Sequence, residues 1–112
     1  MNTNLKVKSK VWLENALGNA VIGDGRFRIL KAIRDTGSIS KAAVRIKQPF
    51  RRVWARLKDA EEQCGFKLVE RTRVGSKLTA EGEDLMRKYA ELNRVCTRHA
   101  NAKFRKLFPE EG

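Results

Sequence analysis

The chain has 112 residues, enough for one domain with a modest core and too few for an obvious second module, so any sensor is expected on a separate protein. Its 25 Lys and Arg stand against 13 Asp and Glu, a net charge of +12 that favours a polyanionic partner, double-stranded nucleic acid first. The sequence shows no apolar run long enough for a bilayer, no signal-like N-terminus and no spare basic amphipathic helix for a membrane surface. A cytoplasmic, nucleoid-associated protein without membrane contact is therefore expected, with Cys64 and Cys96 reduced.

Leu5, Val7, Val11 and Leu13 recur at period two with Lys6, Lys8 and Lys10 opposite, which predicts a half-buried strand from Leu5 to Leu13. Turn residues at 14–19 and the apolar Ala20-Val21-Ile22 make it the first arm of an N-terminal β-hairpin. Asp24 is a candidate cap for a helix carrying Phe27, Ile29, Leu30 and Ile33, which Gly37 ends. Ser38 and Ser40 offer caps for a second, short helix, where Ala42 and Ala43 allow close approach of a neighbour.

Pro49 suits the first turn of a third helix, and Phe50, Val53, Trp54 and Leu57 follow the spacing of a buried stripe. Trp54 is accordingly expected in the core. Gln48, Arg52, Ala55 and Asp59 then fall on the outer face, with Arg51 and Arg56 on its flanks and Gly65 as the C-terminal cap. Two short strands, at 67–71 and 76–78, flank Arg73-Val74-Gly75 and form a small basic hairpin. Thr79 caps a last helix with Glu81, Glu83 and Asp84 in its opening turns, suited to the positive end of the helix dipole. Leu85, Tyr89, Leu92, Cys96 and His99 alternate four and three residues apart, the period of a coiled-coil seam, and the helix is expected to reach Leu107 before a frayed tail.

The fold expected is α+β, mainly helical: a winged helix-turn-helix with an N-terminal β-hairpin and a long C-terminal dimerisation helix. Its parts are a DNA-binding unit at 1–79, the helix at 80–108 and a tail at 109–112. Charge is concentrated in the first part. Residues 24–65 hold eleven basic and five acidic side chains and residues 66–79 four and one, whereas 80–112 hold seven and six. A helix-turn-helix with this charge lays its second helix in the major groove, where arginine is the commonest reader of guanine.

In this order, Gly25-Arg26-Phe27-Arg28-Ile29-Leu30, Gly37-Ser38-Ile39-Ser40-Lys41-Ala42-Ala43, Phe50-Arg51-Arg52-Val53-Trp54, Leu68-Val69-Glu70-Arg71 and Leu78-Thr79-Ala80-Glu81-Gly82 carry a resemblance. From about Leu5 to Leu92 the chain resembles the N-terminal DNA-binding domain of the ModE family of molybdate-responsive regulators and, more distantly, the winged helix-turn-helix of LysR-type regulators. The resemblance implies that Phe50 to Trp54 lies on the recognition helix and that a homodimer binds a palindromic operator. It does not carry over molybdate sensing, because the molybdate-binding domains that follow in ModE are missing from these residues. The hairpin at 72–77 also has one glycine where ModE-like wings have many, which is closer to the LysR pattern.

The residues expected to meet DNA are Gln48, Arg51, Arg52, Ala55 and Arg56 on the recognition helix, with Ser38, Ser40, Lys41 and Lys47 holding phosphate from the second helix and turn. Arg71, Arg73 and Lys77 belong to the wing, and Leu85, Tyr89, Leu92, Cys96 and His99 to the dimer seam. No catalytic group is expected: His99 is the only histidine and no phosphate-cradling glycine loop is present. Cys96 and His99 read as packing residues and not as half of a shared metal site, so neither a metal nor another cofactor is expected. The expected activity is sequence-specific regulation of transcription. The alternatives are an architectural DNA-binding protein with little sequence preference and a winged-helix protein-interaction module.

Overall fold

In the computed structural model, which describes residues 4–110, the elements follow in the order β1 (Leu13–Glu14), β2 (Ala20–Ile22), α1 (Asp24–Thr36), α2 (Ile39–Arg45), α3 (Phe50–Cys64), β3 (Val69–Arg71), β4 (Ser76–Leu78) and α4 (Ala80–Leu107). β1 pairs with β2 and β3 with β4, both antiparallel. α1 and α3 both end where Gly37 and Gly65 turn the chain left-handed, at φ of 74° and 83°. Thr79 and Ser38 cap α4 and α2 through their side-chain oxygens, which accept from Gly82 N at 2.9 Å and Lys41 N at 3.2 Å. Asp24 is not a cap: Gly23 occupies that position and Asp24 opens the first turn, where its charge suits the dipole.

Ile29, Leu30 and Ile33 of α1 meet Ala42 and Ala43 of α2, Val53 and Leu57 of α3, Leu68 before the wing, and Met86 and Tyr89 of α4 in one core. The alanines are 0 and 3% exposed, so α2 approaches its neighbours closely through small side chains, with Ile39 packing against the same core. Tyr89 packs its ring against Phe27, 5.4 Å between centroids, and its hydroxyl donates to the Val11 carbonyl oxygen at 2.9 Å. Burial pushes the Tyr89 phenol above its ordinary pKa, with Asp24 adding to the effect.

The strand expected from Leu5 to Leu13 shrinks to Leu13–Glu14, because β2 offers only three residues to pair with. The preceding segment instead follows α4, with Val11 accepting from Tyr89 and Ser9 Oγ 3.4 Å from Thr97 Oγ1. Residues 1–3 and 111–112, the ends of the expected first unit and of the frayed tail, lie outside the described residues.

Candidate nucleic-acid interface

Val53, Leu57, Ala60 and Glu61 are the buried residues of α3, and they set which way the helix faces. Phe50 and Trp54, expected beneath it, are 49 and 45% exposed. The stripe is therefore rotated from its predicted position. A methyl side chain at Ala60 faces inward with Leu57, and the carboxylate of Glu61 is drawn in by unmet backbone donors. Glu61 Oε2 accepts from Leu68 N at 2.8 Å and Val69 N at 3.2 Å, while Lys58 Nζ lies 3.3 Å from Oε1. One buried acid thus satisfies the start of the wing strand and fixes the wing to α3, a role its sequence context did not reveal.

Of the residues expected on the recognition face, Arg51, Arg52 and Ala55 are exposed. Arg56 is half-buried, and its guanidinium lies over Gly25 at the start of α1. It therefore belongs to the flank between α1 and α3. Asp59 faces outward as expected, its side chain 45% exposed, but it is not free: it pairs with Arg26 and accepts from Gln63 Nε2 at 3.2 Å. These contacts, that from Gln63 foremost, hold its carboxyl below the ordinary carboxylate range. Arg26 further donates to the Ala20 carbonyl oxygen at 2.8 Å, which joins β2, α1 and α3.

Gln48 is half-buried, with a buried side-chain oxygen that has no hydrogen-bond partner among the described residues. Beside it, Lys47 is exposed and adopts a left-handed backbone at φ 58°, a conformation that favours glycine. Ser40 and Lys41 are exposed on the first turn of α2, and Ser38, already engaged as its cap, is half-buried.

The wing is fastened to the turn between α1 and α2. Ser76 N donates to the Gly37 carbonyl oxygen at 2.8 Å, and Thr72 N to that of Gly75 at 2.9 Å. Gly75 passes so close to Gly37 that a Cβ would overlap its carbonyl oxygen. Arg71, Arg73 and Lys77 are all exposed, and Lys77 Nζ lies 3.4 Å from Glu70 Oε1 on the facing strand. The wing is thus bonded both to the turn, through Gly37, and to α3, through Glu61, and all three expose basic side chains.

On α4 the expected seam divides. Tyr89 is 1% exposed, filled in by its own domain, and Leu85 is half-buried beside that core. Leu92 is 42% exposed, Cys96 half-buried and His99 exposed, with Val95, 46% exposed, nearby on the same helix. Val95 escaped the sequence pattern because it breaks the four-three alternation.

Residues 25–83 match the family described as "Bacterial regulatory helix-turn-helix protein, lysR family". Over 67 residues, 60% of this chain, the sequence is 40% identical to the HTH-type transcriptional regulator YofA of Bacillus subtilis (strain 168). It spans only 23% of that relative's length. The DNA-binding domain of BenM in complex with benA site 1 DNA superposes with a TM-score of 0.62 at 21% identity, over 77% of this chain and 97% of that one. ArgP from Mycobacterium tuberculosis does so with 0.56 at 28% identity, over 73% and 30%. The matching family is thus the more distant of the two that the sequence resembles.

Proposed function

The chain belongs to the bacterial regulatory helix-turn-helix proteins of the lysR family, and on that premise we propose that it is a sequence-specific DNA-binding regulator of transcription, working as a homodimer on a palindromic operator in the cytoplasm. The observation that carries this reading is the joined surface of α2, α3 and wing, where Arg51, Arg52, Lys41, Lys47 and Arg73 are all exposed. Arg51 and Arg52 open α3, where side chains reach base edges, while Lys41, Lys47 and Arg73 track the two flanking backbones. Leu92 and Val95 of α4 supply the apolar seam between protomers, with Cys96 and His99 alongside. Occluding a promoter suffices for regulation. Kinship with ModE is a finer reading supported by the aromatic, basic and tryptophan order at 50–54.

Selection of bound sequences from a random pool should yield a palindrome. Arg52→Ala should then cost about 1–3 kcal/mol on that site and relax the preference at one or two positions. Arg73→Ala, chosen over Lys77 because Glu70 already partners the latter, should weaken specific and random DNA alike and reduce the salt slope by about one unit. If Arg52→Ala weakened both DNAs equally, the reading face of α3 is misassigned. No enrichment in the selection would favour the architectural alternative.

Lys47 allows a separate check on whether backbone strain is retained for a phosphate contact. Lys47→Gly should raise stability by about 0.5–1 kcal/mol, since glycine adopts the left-handed backbone without a steric penalty. The same variant should bind every DNA more weakly. Urea unfolding and DNA titration read the two effects, and a variant that binds as tightly as the parent removes Lys47 from the interface.

A further inference from the structure

Phe50 and Trp54 stand four residues apart on α3, both about half exposed, at the end of the helix that also presents Arg51 and Arg52. Single apolar side chains on a surface need no explanation, but an adjacent aromatic pair on one short helix removes much apolar area from the core to water. The indole is also held in place. Lys58 Nζ lies 5.3 Å from the Trp54 ring centroid and is itself anchored 3.3 Å from Oε1 of the buried Glu61. An exposed ring steadied by an anchored ammonium loses little side-chain entropy when a ligand covers it.

The frame around this pair is cationic, which selects the occupant. Arg51 and Lys58 lie on the helix face beside the aromatics, and residues 24–65 carry eleven basic side chains against five acidic ones. The apolar groups that a polyanionic duplex displays in its major groove are the C5-methyls of thymine. Resting on the reading of α3 as the recognition helix, we propose that Phe50 and Trp54 are specificity-determining residues that select thymine through its C5-methyl group. Arginine then reads guanine by hydrogen bonding while the aromatic edge reads thymine by exclusion of water. Preference at these positions would depend on the methyl group and not on the pairing edge.

The test uses the full chain and the operator obtained by selection, with each thymine replaced singly by deoxyuridine, which lacks only the methyl. One or two substitutions should weaken binding about fourfold each, the effect of withdrawing one methyl group from a buried contact. In Trp54→Ala or Phe50→Ala the same substitutions should have no effect, while thymines read elsewhere keep theirs. Both side chains are half exposed, so the variants should fold, and thermal unfolding checks this. Unmodified protein that tolerates deoxyuridine at every thymine overturns the proposal whatever the variants do. So does a methyl effect that persists in both variants, which assigns the contact to other residues. Sequence-independent binding of the unmodified operator and random DNA would instead overturn the parent reading of α3.

Discussion

Gly82→Ala should lower the stability of the fold by about 3 kcal/mol or more. A Cβ at this position would overlap the Leu68 carbonyl oxygen and crowd that residue's carbonyl carbon and Cα, all backbone atoms that cannot swing aside. The crowded oxygen already accepts from Thr79 N at 2.9 Å, and Thr79 Oγ1 donates to Lys67 O at 2.7 Å while accepting from Gly82 N. The first turn of α4 would therefore have to leave the strand entry, which loses a cap, two backbone-directed hydrogen bonds and packing around the fully buried Leu68.

Gly25→Ala supplies the contrast. Its Cβ would meet the far end of the Arg56 side chain at 3.1 Å, and a flexible guanidinium can move. Inside α1, alanine also gains helix propensity, so the two effects should leave stability within about 1 kcal/mol of the parent. Thermal or urea unfolding of both variants decides the matter: equal losses would mean that the close approach of α4 to Leu68 is not what holds the wing.

Removing residues from Asn93 onward should convert a dimer into a monomer and reduce operator affinity by about two orders of magnitude or more, because half-sites would be bound one at a time. α4 is 28 residues long, while its buried residues, Gly82, Met86 and Tyr89, all lie in its first part. Beyond them Leu92, Val95, Leu107 and Phe108 are between 40 and 61% exposed, apolar area with no use inside a single domain. Truncation keeps Tyr89 and its bond to Val11, so cooperative unfolding should persist. Val95→Glu in the full chain is the milder version, placing a charge in the seam without shortening the helix. Sedimentation that finds the full chain monomeric at tens of micromolar would sink the assignment of α4.

Local chemistry made much of this legible in the residues. Gly37 and Gly65 mark the ends of α1 and α3, and Ser38 and Thr79 mark helix starts, because caps and left-handed turns involve only a few neighbouring residues. The wing strands and the far end of α4 were placed by the same kind of signal. The cluster of arginines at the start of α3 needed only the order of elements to suggest its use.

Where the pattern admitted two solutions, it chose wrongly. Phe50, Val53, Trp54 and Leu57 make a good helical stripe, and Val53, Leu57, Ala60 and Glu61 make another about as good geometrically. Bulk favoured the first. Burial followed the second, since Glu61 can satisfy Leu68 N and Val69 N while no such need draws Trp54 inward. Asp59 does lie outward, but its pairing with Arg26 and Gln63, the first of them 33 residues away, was not in the helical pattern.

The residues by themselves determined the order and extent of the helices, the wing, the basic surface and the length of α4, all consequences of short-range periodicity, capping and charge. Tertiary structure decided the rotation of α3, the withdrawal of Tyr89 from the α4 seam, the course of the chain before Leu13 and the fastening of the wing to Gly37. Each of these depends on a partner distant in the chain, and helical or strand periods constrain only which residues share a face, leaving the face that is buried to the contacts that compete for it.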